Sequence, residues 1–165
     1  MDKKIADFHL PRWNELPNID LYIDQLVSLL EHYLLGYIKN ENEKDEKIIT
    51  KSMINNYVKH GVLKPPINKK YNREHIATLF VIFILKQIYS IDEIKKLINF
   101  AIQTSSIEQS YDRFCVELDE AIHSVFDKEV YTELSKLSEE QYLLKNVVHS
   151  FANKLYVQIT YLKKD

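Results

Sequence analysis

Glycine and proline are scarce in this chain, and their scarcity limits the folds that it can adopt. The 165 residues include two glycines, Gly36 and Gly61, and four prolines that fall into two clusters. A β-sandwich or β-barrel needs many tight turns, and tight turns draw heavily on these two residue types. Apolar residues meanwhile recur at steps of three and four along most of the chain. The sequence therefore predicts a mostly α fold.

The chain has no sequence feature of secretion or membrane insertion. The start, MDKKIADFHLPRW, lacks the apolar core of a signal peptide. The longest apolar run, Leu79–Leu85, is far shorter than the roughly 20 residues that span a bilayer. Cys115 is the only cysteine, which excludes an internal disulfide. We predict a cytoplasmic protein that does not bind a membrane.

Positive charge is concentrated in one part of the sequence. The formal net charge is -2, yet the segment from Lys47 to Arg73 contains seven basic residues and no aspartate or glutamate. The region from Tyr111 to Glu140 is correspondingly acidic, with nine acidic residues against three basic ones. Such segregation predicts a basic surface that binds a polyanion or an acidic partner.

Local sequence signals divide the basic segment into a helix and an extended part. A helix is expected from Pro17 to near Ile38, followed by a polar loop at Lys39–Lys47. Thr50 can cap a second, short helix, and Gly61 can end it in a left-handed conformation. The two prolines that follow forbid helix, so an extended excursion or small hairpin is expected until Asn72 caps the next helix.

Three further helices are predicted from apolar patterns and capping boxes. The helix after Asn72 is apolar on almost all sides, as expected for the centre of a core. The capping box at Ser90–Glu93 opens an amphipathic helix, and the one at Ser138–Gln141 opens a long last helix. The inward residues expected of the amphipathic helix are Ile94, Leu97, Ile98, Ala101 and Ile102. Those of the last helix are Leu144, Val148, Phe151, Leu155, Ile159 and Leu162.

The order of these elements resembles a winged helix-turn-helix of the MerR type. In MINNYVKHGVLKPP, Ile54 and Tyr57 stand at the leucine and second tyrosine of that family's second helix, and Gly61 stands at its end. In KKYN, Lys69 and Tyr71 stand at the arginine and tyrosine that close the wing. Asn55 and Asn56 replace the usual arginine and first tyrosine. The resemblance implies a DNA-binding unit over residues 1–105, followed by an acidic helical region over 106–165.

The chain as a whole also resembles the bacterial family catalogued as domain of unknown function 1836. The stretches LPRWNELPNIDLYIDQLV and MINNYVKHG are the ones that carry this resemblance. It implies a fold and no particular activity.

We predict that the short helix and the wing contact duplex DNA. An asparagine amide can pair bidentately with adenine, so Asn55 and Asn56 are predicted to read base edges. Lysines and arginine on the wing are predicted to hold phosphates, and Tyr57 to be half core and half phosphate donor. The full set is Thr50, Lys51, Ser52, Asn55, Asn56, Tyr57, Lys59, Lys69, Lys70, Tyr71 and Arg73.

Two functional interpretations remain open at the level of sequence. The first is a sequence-specific DNA-binding transcriptional regulator; the alternative is a protein-interaction adaptor that keeps the fold without binding DNA. The C-terminal region is expected to form a homodimer or to bind a protein partner or effector, and its last helix is either a dimerisation coil or part of a closed bundle. No catalytic, phosphate-loop or metal motif is present, so no enzyme, cofactor or metal is predicted.

Overall fold

The structure is a computed structural model that describes residues 3–38, 47–129 and 136–162, apart from the side chain of residue 4. The predicted loop at Lys39–Lys47 lies, except for Lys47, outside the described residues. The chain forms two compact units, one of Pro11–Tyr111 and one of Met1–Leu10 with Asp112–Asp165. The elements are α1 (Lys3–Ala6), a 3-10 turn (Trp13–Glu15), β1 (Leu21–Tyr22), α2 (Ile23–Leu34), α3 (Lys51–Lys59), β2 (Lys70–Tyr71), α4 (Arg73–Leu85), α5 (Ile91–Thr104), α6 (Ile107–Phe126), α7 (Glu139–Val157) and a π-helical turn (Gln158–Leu162).

The mostly helical prediction is confirmed, and α4 is the centre of the larger unit. Nine of its thirteen residues are buried, on all sides of the helix, because the sequence HIATLFVIFIL is apolar around the whole circumference. Helix α2 instead buries a single stripe of Leu26, Leu30 and Leu34. In α3 the buried residues are Ile54 and Tyr57. Helices α2 and α4 provide the apolar surface against which the buried side of α3 packs. The other side of α3 is left exposed.

Helix boundaries predicted from capping residues are confirmed. Thr50 accepts a hydrogen bond from the backbone N–H of Met53, and Ser90 and Ser138 cap α5 and α7 with reciprocal capping boxes. Asn72 caps α4 in the same way. Each cap involves groups three residues apart, so the local sequence alone determines it.

The predicted start of the first long helix at Pro17 is wrong. Helix α2 begins only at Ile23, because Leu21 and Tyr22 form a strand that pairs antiparallel with β2. The register places Leu21 opposite Tyr71 and Tyr22 opposite Lys70. Opposed residues of such a pair lie on the same face. The first pair is buried and the second is not, so this small sheet has one core face and one outward face.

The predicted apolar face of α5 is only partly buried. Ile94 is fully buried, whereas Ala101 is exposed and Ile102 is 43% exposed. Phe100, which lies beside this stripe, is 41% exposed. The prediction is wrong for the second half of α5 because only its first turns are covered.

The smaller unit is built from α1, α7 and most of α6. Helix α7 buries Val148, Phe151 and Leu155 as predicted, whereas Leu162 is 65% exposed. Between the two long helices, Lys145 Nζ lies 2.7 Å from Glu117 Oε2, and both side chains are about four-fifths buried. The predicted division into a DNA-binding unit up to residue 105 and an acidic helical region after it concerns function and stays a prediction.

Candidate nucleic-acid interface

The outward face of α3 carries polar side chains. Ile54 and Tyr57 point into the core, so the opposite side of the helix faces solvent. The residues on that side are Lys51, Ser52, Asn55, Asn56 and Lys59, and all five are exposed. Lys51, Asn55 and Lys59 follow one another at steps of four residues, so they share one accessible face. This face presents two amides, one hydroxyl and two ammonium groups.

The first turn of α3 holds an ion pair that the sequence did not reveal. Lys51 Nζ lies 2.6 Å from Asp24 Oδ1, which belongs to α2. Both side chains are more than half exposed, so solvent screens this pair. Thr50 is half-buried and its hydroxyl accepts the hydrogen bond from Met53 N at 3.2 Å. The basic segment contains no acidic residue, but the fold places Asp24 of α2 beside it.

After α3, the chain makes a two-residue hairpin, Ile67–Lys70. The N–H and C=O of Ile67 both bond to Lys70, each at 3.0 Å. Asn68 and Lys69, between them, have φ angles of 51° and 60°. Two consecutive left-handed residues define a type I′ turn, whose twist matches that of the strands it joins. The predicted wing is therefore a short, tightly closed hairpin.

A buried histidine supports the hairpin from behind. His75 is 4% exposed, and its Nδ1 accepts the backbone N–H of Asn72 at 3.0 Å. That bond requires the ring proton to sit on Nε2, which donates to the carbonyl of Pro65 at 3.0 Å. One side chain thus connects the start of α4 to the chain that enters the hairpin.

The two wing lysines differ in how they are held. The side chain of Lys69 is exposed at the turn. Lys70 is half-buried, and its Nζ lies 5.2 Å from the ring centroid of Tyr22, within range of a cation–π interaction. Lys64, just before the prolines, is 3.9 Å from Glu74. Within the part of the chain that the structure describes, Lys59, Lys69 and Lys70 form no ion pair with an acid.

Two predicted site residues belong to the core instead. Tyr57 is 4% exposed and packs edge-on against Phe83, with ring centroids 5.5 Å apart. Tyr71 is 2% exposed and packs against His75, and burial raises the pKa of its phenol. The expectation that Tyr57 is only half in the core is wrong. Neither tyrosine presents its side chain to a ligand as large as DNA.

Arg73 is also engaged within the fold. Its Nη2 donates to the carbonyl of Leu16 and to Asn18 Oδ1, both at 3.3 Å. The guanidinium carbon lies 5.7 Å from the ring centroid of Trp13. Arg73 therefore ties the segment before β1 to the start of α4. These contacts engage part of the guanidinium that the sequence predicts to hold a phosphate, and Arg73 is half-buried.

Lys95 of α5 lies beside the end of α3, a position that the sequence did not reveal. Gly61 has a φ of 71°, which confirms the predicted left-handed end of α3. A Cβ added to Gly61 would lie 3.1 Å from Lys95 Nζ, so this ammonium group sits beside the C-terminal end of α3. Only the packing of α5 on α4 brings them together, and no local pattern could have predicted it.

The family model for a domain of unknown function, DUF1836, matches residues 11–114. The chain belongs to the DUF1836 family. No curated protein and no solved structure matches it. The DUF1836 match covers the whole of the larger unit, including α3, the hairpin and Lys95, and it ends within α6.

Other kinds of site would need a cluster of metal ligands, a cavity or a membrane-spanning helix in the described parts of this DUF1836 chain. No group of three or more histidine, cysteine, aspartate or glutamate side chains is placed to hold a metal there. A crevice of about 10 Å³ lies beside Met53, Tyr57 and Phe83, enough for about one water molecule. No helix of the described residues is long and apolar enough to cross a bilayer.

Proposed function

We propose that this chain binds duplex DNA with sequence preference and acts as a transcriptional regulator, using a MerR-like winged helix-turn-helix. The observation that supports it is the grouping of unpaired cations with exposed amides. Asn55, Asn56 and Lys59 lie on the outward face of α3, and Lys69 and Lys70 lie on the hairpin. Nucleic-acid interfaces combine these two kinds of group, because cations hold phosphates and amides read bases.

In the proposed complex, α3 enters the major groove. An α-helix fits the width of that groove, and the amides of Asn55 and Asn56 can pair with the N6 and N7 of adenine. Lys59, Lys69 and Lys70 then neutralise phosphates on either side. Lys95, close to Gly61, adds a further cation beside the end of α3.

Lys51 contributes to DNA binding only if it leaves its ion pair with Asp24. Its ammonium group pairs with Asp24 in the free protein, at 2.6 Å. A phosphate near the first turn of α3 would compete with Asp24 for Lys51 and gain from the partial positive charge of the helix terminus. Thr50 holds the helix start, and the hydroxyl of Ser52 is exposed beside it.

Selection from random duplexes at low salt, followed by affinity measurement across salt concentrations, tests the proposal. About four neutralised phosphates give a slope of about -3.6 in log K against log salt. Asn55→Ala should relax the selected sequence while leaving this slope unchanged. Failure to recover a preferred sequence, or an affinity that does not respond to salt, would contradict the proposal.

The chain offers a closely matched pair of variants for the phosphate contacts. Lys69 and Lys128 are both exposed lysines with left-handed backbones, at φ 60° and 58°. Replacing either with glycine removes one charge and relieves a similar backbone strain. Lys69→Gly should reduce the magnitude of the salt slope by about 1, whereas Lys128→Gly should leave it unchanged. Equal effects of the two changes would show that only net charge matters.

A protein-interaction adaptor is the second candidate, favoured by the uncovered half of α5. Phe100 and Ile102 are each more than two-fifths exposed, and Leu97 and Ile98 are half-buried beside them. Apolar patches of this kind often mark protein contacts. Under this alternative, Phe100→Ser with Ile102→Ser abolishes self-association or partner binding, and no duplex binds at any salt concentration. We infer no catalytic role for the chain under either candidate.

A further inference from the structure

The hairpin presents an apolar side chain that the proposed function does not yet use. Ile67 is 64% exposed, although it lies beside the two prolines and is hydrogen-bonded through both backbone groups to Lys70. Residues paired across antiparallel strands share a face. Ile67 and Lys70 therefore lie on the same face. Tyr22 pairs with Lys70 on its other side, so Tyr22, Lys70 and Ile67 form a row of three side chains.

This row forms the outward face of the small sheet. Tyr22 is 53% exposed and Lys70 is half-buried, with its ammonium group over the Tyr22 ring. On the opposite face, Leu21 and Tyr71 are buried. An aromatic ring, a cation and an aliphatic side chain thus lie side by side across the strands, and the isoleucine is next to the turn.

Several contacts make the base of this row stiff. The type I′ turn closes directly behind Ile67, with both hydrogen bonds formed. On the other side, the carbonyl of Pro65 is held by His75 Nε2. A side chain that separates stacked bases has to resist being pushed aside, so a stiff base is what such a role requires. Lysine in a left-handed conformation at position 69 is an uncommon choice that keeps a cation at the turn.

We infer that Ile67 is a wedge that enters the minor groove, partly unstacks one base step and bends the duplex. This inference rests on the proposed function and adds deformation of DNA to it. The minor groove is about 6 Å wide, which suits a two-residue turn rather than a helix. Isoleucine is among the apolar residues that proteins insert between base steps, and cations on either side hold the approaching phosphates. In this arrangement Lys69 and Lys70 are those cations.

Bending and base stacking can be measured on the intact protein with the duplex recovered by selection. End-to-end energy transfer should report a bend of at least about 20°, and 2-aminopurine at the affected step should brighten as it unstacks. Ile67→Thr keeps the branched shape and makes it polar. This variant should lose at least half of the bend and the fluorescence increase, and bind about tenfold more weakly. Ile19→Thr, at a site 69% exposed and outside the hairpin, is the matched control and should change neither signal.

The outcomes separate this inference from the proposed function. If the protein binds the duplex with a normal salt slope but leaves it straight, the wedge is wrong and DNA binding stands. An unchanged bend in Ile67→Thr, or an equal loss in Ile19→Thr, also overturns the wedge. If no duplex binds at all, both proposals fail together.

Discussion

Two lysines of the larger unit and one lysine of the smaller unit have opposite surroundings. In the larger unit, Lys59 and Lys69 extend into solvent with no acidic partner among the described residues. In the smaller unit, Lys145 and Glu117 meet at 2.7 Å and are each about four-fifths buried. The first arrangement leaves positive charge available to a ligand, whereas the second uses it inside the fold. The family match includes all of the first arrangement and ends before Glu117.

This contrast shows why net charge says little about function here. The chain carries a formal charge of -2, because acidic residues on both sides of the basic segment outweigh its seven positive charges. An internal ion pair cannot attract a distant polyanion, because each charge cancels the other at close range. Exposed lysines can do so, and their effect weakens with salt. Substituting a lysine of each kind tests whether the two sets of charges differ as their surroundings imply.

The largest expected effect is the loss of Lys145. Lys145→Met leaves Glu117 largely buried and uncompensated, so the free energy of unfolding should fall by about 2 kcal/mol, less than for a fully buried pair. Lys59→Met should change it by no more than about 0.5 kcal/mol, because its side chain is exposed. Urea denaturation of the two variants provides the measurement. Adding Glu117→Leu to Lys145→Met should recover much of the loss; equal effects of the two single lysine changes would remove the contrast.

A smaller effect is expected from the histidine that supports the hairpin. His75→Gln keeps a side-chain acceptor for the backbone N–H of Asn72 but loses the bond to the Pro65 carbonyl. The cost should be about 1 kcal/mol, typical of one hydrogen bond. Hydrogen exchange of the Ile67 and Lys70 amides should accelerate, since the hairpin loses its anchor.

A histidine in the smaller unit is the control for that change. His123 Nδ1 lies 2.7 Å from the carbonyl of Asp119, within α6. His123→Gln also removes an imidazole hydrogen bond, but it should leave the exchange of the hairpin amides unchanged. If it accelerated them as strongly as His75→Gln does, the support assigned to His75 would be general destabilisation.

The smallest effect is a pH dependence in the smaller unit. Burial lowers the pKa of His149, the charge of Lys145 lowers it further, and Glu117 opposes them. With a folded pKa below the unfolded value of about 6.5, the unfolded chain binds more protons as the pH falls. This contribution to stability is therefore complete above that pH and is lost on acidification. His149→Gln should flatten the slope of stability between pH 8 and pH 5.5, and an unchanged slope would contradict the assignment.

Local chemistry was predictable from the sequence, and long-range pairing was not. The caps at Thr50, Asn72 and Ser90 and the left-handed Gly61 each depend on residues within one helical turn, and all are confirmed. The pairing of β1 with β2 joins residues some fifty positions apart, and two residues per strand give no periodicity to detect.

The same limit explains the errors in the candidate site. Tyr57 and Arg73 carry groups that suit a phosphate, and only packing reveals that Tyr57 is buried against Phe83 and that Arg73 lies over Trp13. Lys51 and Asp24 meet across two helices, and Lys95 reaches Gly61 from a third. Residue type predicted which chemistry was present, while tertiary contacts determined which side chains stayed accessible.

The tight turn at Asn68 and Lys69 fixes the length of the hairpin. Side chains alternate between the two faces of a strand, so inserting one residue between the turn and Tyr71 would reverse the faces of β2. Tyr71 would then point outward and Lys70 would point into the core beside Leu21. Inserting one residue on each side of the turn instead lengthens the hairpin by one rung of paired residues and leaves Tyr71 in place. The hairpin can therefore change its length in steps of two residues, and a single inserted residue displaces the buried tyrosine that secures it.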